Sequence, residues 1–326
     1  MFKTRITEML GIKYPIIGGT MMHLSRPDFV AAISESGCLG ILASAIYIDK
    51  ESFRDAIRKI RRKTDKPFGV NLNMFPTRKK LDNNVYIDVI LEEGVPVVET
   101  SGHKAPEEYV DRLKSGGVKL IHKCVGVKYA KKAEGLGVDA ITVVGYENGG
   151  ATGMLDITTL CLVPRVVDNV DIPVIGGGGV ADGRGMAAIL SLGADGVIMG
   201  TRLLTAEECP LHPRIKQKLI EASELDTMLV LRSLGNTHRV WKNKAAQITA
   251  EMEQRGATLE EILKVISGDQ TKRLYFEGDL DVGLLPCGQG VGLVREIKPV
   301  REIISEIIEE FNEAVGRLNA LFETIC

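Results

Sequence analysis

This sequence of 326 residues is short of most features that betray a function at a glance. Its charges nearly cancel, with a formal net charge of −2, so nothing argues electrostatically for nucleic acid or an acidic membrane as partner. The six cysteines, at 38, 124, 161, 209, 287 and 326, include no C-x-x-C pair, and several sit in apolar, strand-like contexts. They read as reduced, mostly buried thiols. No apolar run is long enough to cross a bilayer, and MFKTRITEML at the start lacks a long apolar core, so a cytoplasmic protein is expected. There is no H-E-x-x-H, no Cys/His cluster at ligand spacing and no serine elbow, which weighs against metal and serine-nucleophile chemistry. The one basic run, Arg58 to Lys63, shares a helix with Phe53, Ile57 and Ile60 and reads as its solvated face.

What the chain does have is a repeated phrase. A helix ends in glycine and a short β-branched strand follows, at Gly37, Gly94, Gly116-Gly117, Gly137 and Gly193. Eight short, nearly all-apolar strands alternate with helices and end near residues 17, 42, 71, 99, 124, 143, 175 and 199. Such strands belong in a parallel sheet covered on both faces, and eight is the number that closes a barrel. The expected fold is therefore an α/β TIM (β/α)8 barrel, with a doubly wound open sheet as the alternative. Residues 1–205 and 286–326 make that barrel. Residues 206–285 carry helical patterns near Pro213–Ala222 and Thr258–Ser267, no clear strand, and read as a smaller helical insertion or cap after the eighth strand. The helix from about 299 to 322 places Ile303, Ile307, Phe311, Val315, Leu318 and Phe322 on one face, which should pack back on the barrel.

The densest signal is DIPVIGGGGVADGRGMAAILSLGADGVIMGTR, 171 to 202. Two consecutive strands end in glycines beside a helix start, at Gly176–Gly179 and at Gly200-Thr201, and Asp182 can cap the helix between them. Without Cβ atoms, backbone N–H groups approach an anion closely, so the pattern predicts a phosphate cradle. Plain tight turns need fewer glycines. A G-x-G-x-x-A match at Gly176, Gly178 and Ala181 comes too late in the chain for a convincing dinucleotide fingerprint.

Barrel enzymes work at the C-terminal ends of their strands. Those ends supply Gly19, Thr20, Met21, Asn71, His103, Lys123, the run Gly145-Tyr146-Glu147-Asn148-Gly149-Gly150, then Gly177, Gly178, Gly179, Gly200 and Thr201. The set is rich in backbone donors and poor in acid–base groups, which suits a bulky phosphate-bearing cofactor that brings its own reactivity.

Six motifs in order, YPIIGGTM, PFGVNL, GYENGG, GGGVADGRG, LGADGVIMGTR and GQGVGL, resemble the nitronate monooxygenase (2-nitropropane dioxygenase) family, which includes flavin-dependent enoyl-acyl-carrier-protein reductases. The resemblance implies an FMN-binding TIM barrel, with Gly178, Gly179, Gly200 and Thr201 on the FMN phosphate. It implies that Thr20, Met21, Asn71 and Lys123 meet the isoalloxazine or ribityl part, with Gln289 in a return loop near the flavin. Gly19, Gly149, Gly150 and Gly177 complete that expected lining. Family members usually carry histidine after the paired glycines, as a base or a group stabilising anionic intermediates; here Ala151 stands there. His103 and His23 are candidate substitutes, although a solvated loop residue is the simpler reading of each, and Tyr146 and Glu147 are candidates for proton delivery. Glu147 has the competing role of holding its loop. His122 should point toward the helices as a structural residue, since strand alternation opposes it to Lys123. His238, Arg239 and Lys242 could grip an acidic substrate end, although a solvated helix face is the simpler reading.

The expected activity is FMN-dependent hydride transfer with NADH or NADPH, or with a conjugated or acyl-thioester substrate. Nitronate oxidation with a substitute base, and a non-redox barrel binding a phosphorylated ligand, are the alternatives. A small-molecule substrate is the expected partner, with no nucleic acid, no membrane and a homodimer left open.

Overall fold

The computed structural model describes residues 2–75 and 82–323, and these fall into two compact units. The first comprises residues 1–144, 160–177 and 192–198; the second comprises 145–159, 178–191 and 199–326. The strands in chain order are β1 (Ile16–Gly18), β2 (Gly40–Ala43), β3 (Phe68–Asn73), β4 (Val97–Ser101), β5 (Lys119–Cys124), β6 (Ala140–Val144), β7 (Gly150–Ala151), β8 (Val174–Gly177), β9 (Gly196–Met199), β10 (Thr227–Val230) and β11 (His238–Trp241).

In the first unit eight parallel strands follow one another in the order β1-β9-β8-β6-β5-β4-β3-β2, and a bridge from Ile17 to Leu39 joins the two ends. The sheet thus closes on itself as a (β/α)8 barrel. The interior is set by strand alternation. Ile17, Ile41, Val97, Ile121, Ile175 and Ile198 form a dry layer, on which the helix Arg5–Leu10 packs Ile6 and Leu10. That helix has a Thr4/Thr7 capping box and turns off at Gly11. Glu99 lies two residues beyond Val97 and pairs in register with Asn71; Lys123 lies two beyond Ile121 and pairs with Ser101. A polar layer therefore sits on the apolar one. Pro164, a residue type that kinks or breaks a helix, lies inside the single helix Thr159–Val167. Cys38, Cys124, Cys209 and Cys287 are buried and Cys161 is exposed, while Cys326 lies outside the described residues.

The second unit holds helices as expected at Pro213–Ile220 and Leu259–Ile266, and adds one at Lys244–Gln254. It also contains an antiparallel sheet, β10-β11-β7, which the sequence pattern did not announce. The strands TMLV and HRVW are four residues each between polar segments, too short for alternation to register. Val230, Val240, Ala246 and Ile262 form its core. The helix Val300–Glu323 packs on Gly183–Ser191, and Gly183 permits this: a Cβ there would meet the Phe311 amide at 2.2 Å. Ile303 and Ile307 are buried, but Leu318 is exposed, so the apolar stripe outlasts its packing partner. The Phe322 side chain lies outside the described residues. Among the described residues no helix is long and apolar enough to cross a membrane.

Candidate functional site

In the first unit the chemistry is made of side chains. Glu99 is wholly buried inside the barrel, and its Oε2 accepts from Asn71 Nδ2 at 2.7 Å and from Thr20 Oγ1 at 3.2 Å. Oε1 lies 3.2 Å from Lys123 Nζ without the alignment of a hydrogen bond. A carboxylate without water survives only with a counter-charge and donors, and this one has both. Lys123 is partly exposed and so is tethered at one side only. Ser44 Oγ donates to the Asn71 main-chain carbonyl at 2.6 Å, and Asn71 Nδ2 also reaches Ser101 Oγ at 3.2 Å, so both the backbone and the side-chain amide of Asn71 are held. The Thr142 hydroxyl, buried as well, has no protein partner among the described residues. His122 points the opposite way, as alternation requires. It is buried with Nδ1 2.9 Å from Thr100 Oγ1, and burial lowers its pKa to about 4, against a smaller opposing pull from Glu99.

Other first-unit candidates do not join this cluster. His103 is exposed and packs edge-on against Phe75 with ring centroids 4.7 Å apart. His23 is half-buried in a left-handed backbone conformation, φ 65°, and its carbonyl accepts from Arg26 Nε. Gly19 is buried, and the Met21 amide is held by Ser25 Oγ at 2.9 Å. Gly177 is bare for packing, since a Cβ would stand 2.3 Å from Ile198 Cγ2.

In the second unit the chemistry is made of backbone. Gly178 has φ 103°, and a Cβ there would fall 2.5 Å from Thr159 Oγ1. No backbone carbonyl among the described residues accepts from the amides of Gly178, Gly179, Gly200 or Thr201. A Cβ at Gly200 would meet nothing within 4 Å. Thr201 Oγ1 accepts from the Gly288 amide at 2.9 Å, which leaves its own proton to donate. Unpaired amides beside open space and a hydroxyl donor fit the terminal phosphate of a cofactor. Two further loops and the start of the helix Thr159–Val167 brace one another beside these glycines. The Gln289 amide donates to the Glu147 carbonyl at 3.0 Å, and Gly149 is bare because a Cβ would strike the Gly288 amide at 2.7 Å. The Glu147 carboxylate accepts from the Thr159 amide at 2.9 Å and its hydroxyl at 2.7 Å, contacts that describe a loop-holding role.

Ala151 lies in β7, opposite His238 of β11, while Gly150 with φ 86° opposes Arg239. The middle of NTHRVWKNK, His238–Trp241, is thus a strand rather than a solvated helix face, and Arg239 within it is 4 % exposed. Its guanidinium stands 4.5 Å from the Tyr146 ring centroid and donates through Nε to the Tyr146 carbonyl. Sequence reasoning passed over Glu99, Thr159 and the burial of Arg239. Glu99 alone left a signal: a carboxylate at an inward position of the otherwise apolar VVETS.

The sequence model of the nitronate monooxygenase family matches residues 3–310. A Rhodococcus jostii (3aS,4S,5R,7aS)-5-hydroxy-7a-methyl-1-oxo-octahydro-1H-indene-4-carboxyl-CoA dehydrogenase is 33% identical, with 98% of each chain covered. FabK from Thermotoga maritima superposes with a TM-score of 0.91 at 39% identity, over 98% of this chain and 100% of that one. The nitroalkane oxidase of Streptomyces ansochromogenes gives 0.83 at 25% identity, over 96% and 99%. With the barrel, the glycine cradle and a match over nearly its whole length, this chain is an oxidoreductase that belongs to the nitronate monooxygenase family.

Proposed function

We propose that the protein holds FMN and catalyses hydride transfer between it and NADH or NADPH, or a conjugated or acyl-thioester substrate. The cradle carries this reading: four unpaired amides and the Thr201 hydroxyl around the open face of Gly200 suit a monophosphate, without the Rossmann turn a pyrophosphate needs. When bound, FMN supplies the two-electron chemistry that the side chains here lack. The chain's own part is orientation and electrostatics. Glu99 lies against the Lys123 amine and accepts from Asn71 and Thr20, which holds in place the residues that family resemblance assigns, with Met21, to the isoalloxazine or ribityl part. Ala151 offers no base, so hydride transfer, which needs none there, is favoured over nitronate oxidation. The acyl-thioester arm draws on the Rhodococcus relative, whose name specifies a carboxyl-CoA substrate.

Nitronate oxidation with a substitute histidine is the second reading. One observation favours it: His238 stands across the ladder from Ala151. Anaerobic mixing of the FMN-loaded protein with NADH, NADPH and a nitronate, in parallel, separates the two. Bleaching by a nicotinamide donor, with the nitronate much slower, is expected. A colourless protein that takes up no FMN overturns the cofactor, and fast bleaching by the nitronate alone selects the second reading.

A further inference from the structure

Arg239 is a buried cation with no carboxylate in ion-pair contact among the described residues. Its main chain is fixed by pairing with Gly150 and by the Cys287 amide, which donates to its carbonyl. Nε donates to the Tyr146 carbonyl and Nη1 to Thr227 Oγ1, both at 3.1 Å and both to neutral oxygens. Nη2 is buried and meets no acceptor among the described residues. Asp156, whose carboxylate feels the Arg239 charge, is taken by Arg232 through contacts of 2.8 and 2.7 Å. A guanidinium keeps its charge at any ordinary pH, so burial cannot neutralise it by proton loss. A residue needed only to fill this space would be apolar. The Tyr146 ring on the guanidinium is half-buried; the Tyr146 amide is tied to the Ile157 carbonyl at 2.8 Å, so the ring can turn while the main chain stays.

We propose that Arg239 binds a planar, negatively charged two-oxygen group of the substrate, a carboxylate or a nitronate, which enters as the Tyr146 ring turns off the guanidinium. The unused N–H groups sit on neighbouring nitrogens, the spacing that two such oxygens match. This rests on the oxidoreductase reading and narrows it to substrates carrying such a group. Charge-assisted hydrogen bonds of this kind correspond to roughly 10- to 100-fold in affinity. A cation–π contact is weaker, so the anion displaces the ring.

Calorimetry with isobutyrate, propane-2-nitronate and the neutral isostere isobutyramide tests this on the full chain, with FMN and stripped of it. At least one anion should bind about 10-fold or more tighter than the amide, and the tighter of the two identifies the group. Arg239→Gln should bring the anions down to the amide, Arg239→Lys should keep part of the preference, and Tyr146→Ala should tighten the anions several-fold. FMN affinity should be unchanged in Arg239→Gln. Wild-type protein that binds anion and amide alike overturns the proposal, and that result needs no variant to fold. Loss of FMN from a folded Arg239→Gln also overturns it, since the arginine would then serve the cofactor. A protein that refuses FMN yet binds the anions through Arg239 defeats the cofactor reading and leaves this one standing.

Discussion

Inside the barrel, Asn71, Glu99 and Lys123 stand on regular strands whose backbone is fully used in the sheet, and everything they offer a ligand is side chain. Around Gly178 and Gly200 the reverse holds: the amides are unpaired, and what matters is that no side chain is present. The two regions are therefore vulnerable to different changes. The barrel depends on charge balance in its polar layer and on the neutrality of buried His122 on the other face of its strand. The glycine loops depend on backbone angles and on the space a Cβ would take, and carry no titrating group of their own. A substitution that respects volume but removes a charge should hurt the first, and one that adds a methyl group should hurt the second.

The largest effect is expected at Glu99. Glu99→Leu leaves Lys123 without its counter-charge and strips Asn71 and Thr20 of an acceptor. Breaking a buried pair from one side typically costs about 3–5 kcal/mol. Urea unfolding should show a loss of that order, and adding Lys123→Met should restore much of it. A double variant no more stable than the single one would mean that charge balance is not what the layer supplies.

Gly178 gives the next effect. Alanine there must take φ 103° and push its Cβ toward Thr159 Oγ1 and the Gly145 amide, so roughly 2–4 kcal/mol of stability should go even without cofactor. Gly200→Asp meets open space and should fold normally while losing FMN through charge repulsion. The pair separates backbone strain from phosphate binding. Equal stability losses in both would erase the distinction between a structural and a ligand-facing glycine.

His122 sharpens the protonation half of the contrast. Buried and held near pKa 4, it stays neutral in the folded protein, while the unfolded chain takes up a proton near pH 6.5. The unfolded state then binds more protons, so stability is full above about pH 6.5 and falls as the pH drops toward 4. The shift corresponds to at most about 3 kcal/mol. His122→Gln should flatten this part of the stability–pH curve; an unchanged slope would assign the acid sensitivity to other groups.

The barrel was legible because each strand is a short β-branched run closed by a glycine, a pattern that needs no tertiary information. The glycine loops stood out for a similar local reason, since four consecutive glycines exceed what a tight turn requires. Glu99 was legible in principle from strand alternation, but an isolated carboxylate does not name its partner. The β10–β11 pair and Arg239 were not legible: burial of a polar strand is decided by what covers it, and RVWKNK looks solvated until β7 and the Tyr146 ring are in place.

Position 151 brings the contrast to one residue, because there a side-chain question is posed inside a backbone-built region. Glycines at 149, 150 and 153 suggest a loop that could adapt to a new ring. The structure restrains it instead: Ala151 pairs with His238, its carbonyl accepts from Asn148 Nδ2 at 3.1 Å, and the next amide donates to the Thr237 carbonyl at 3.1 Å. Ala151→His therefore places an imidazole directly opposite another across an antiparallel pair. Such cross-strand pairs are worth roughly 0.2–1 kcal/mol, and like charges opposite each other are unfavourable. At pH 8 the variant should unfold within about 1 kcal/mol of wild type. Below about pH 6, where imidazoles charge, it should lose a few tenths of a kcal/mol more than wild type does. Removing His238 as well should abolish that extra loss. If the acid penalty survives in the double variant, the ladder does not hold the introduced ring against His238, and the loop is as adaptable as its glycines suggest.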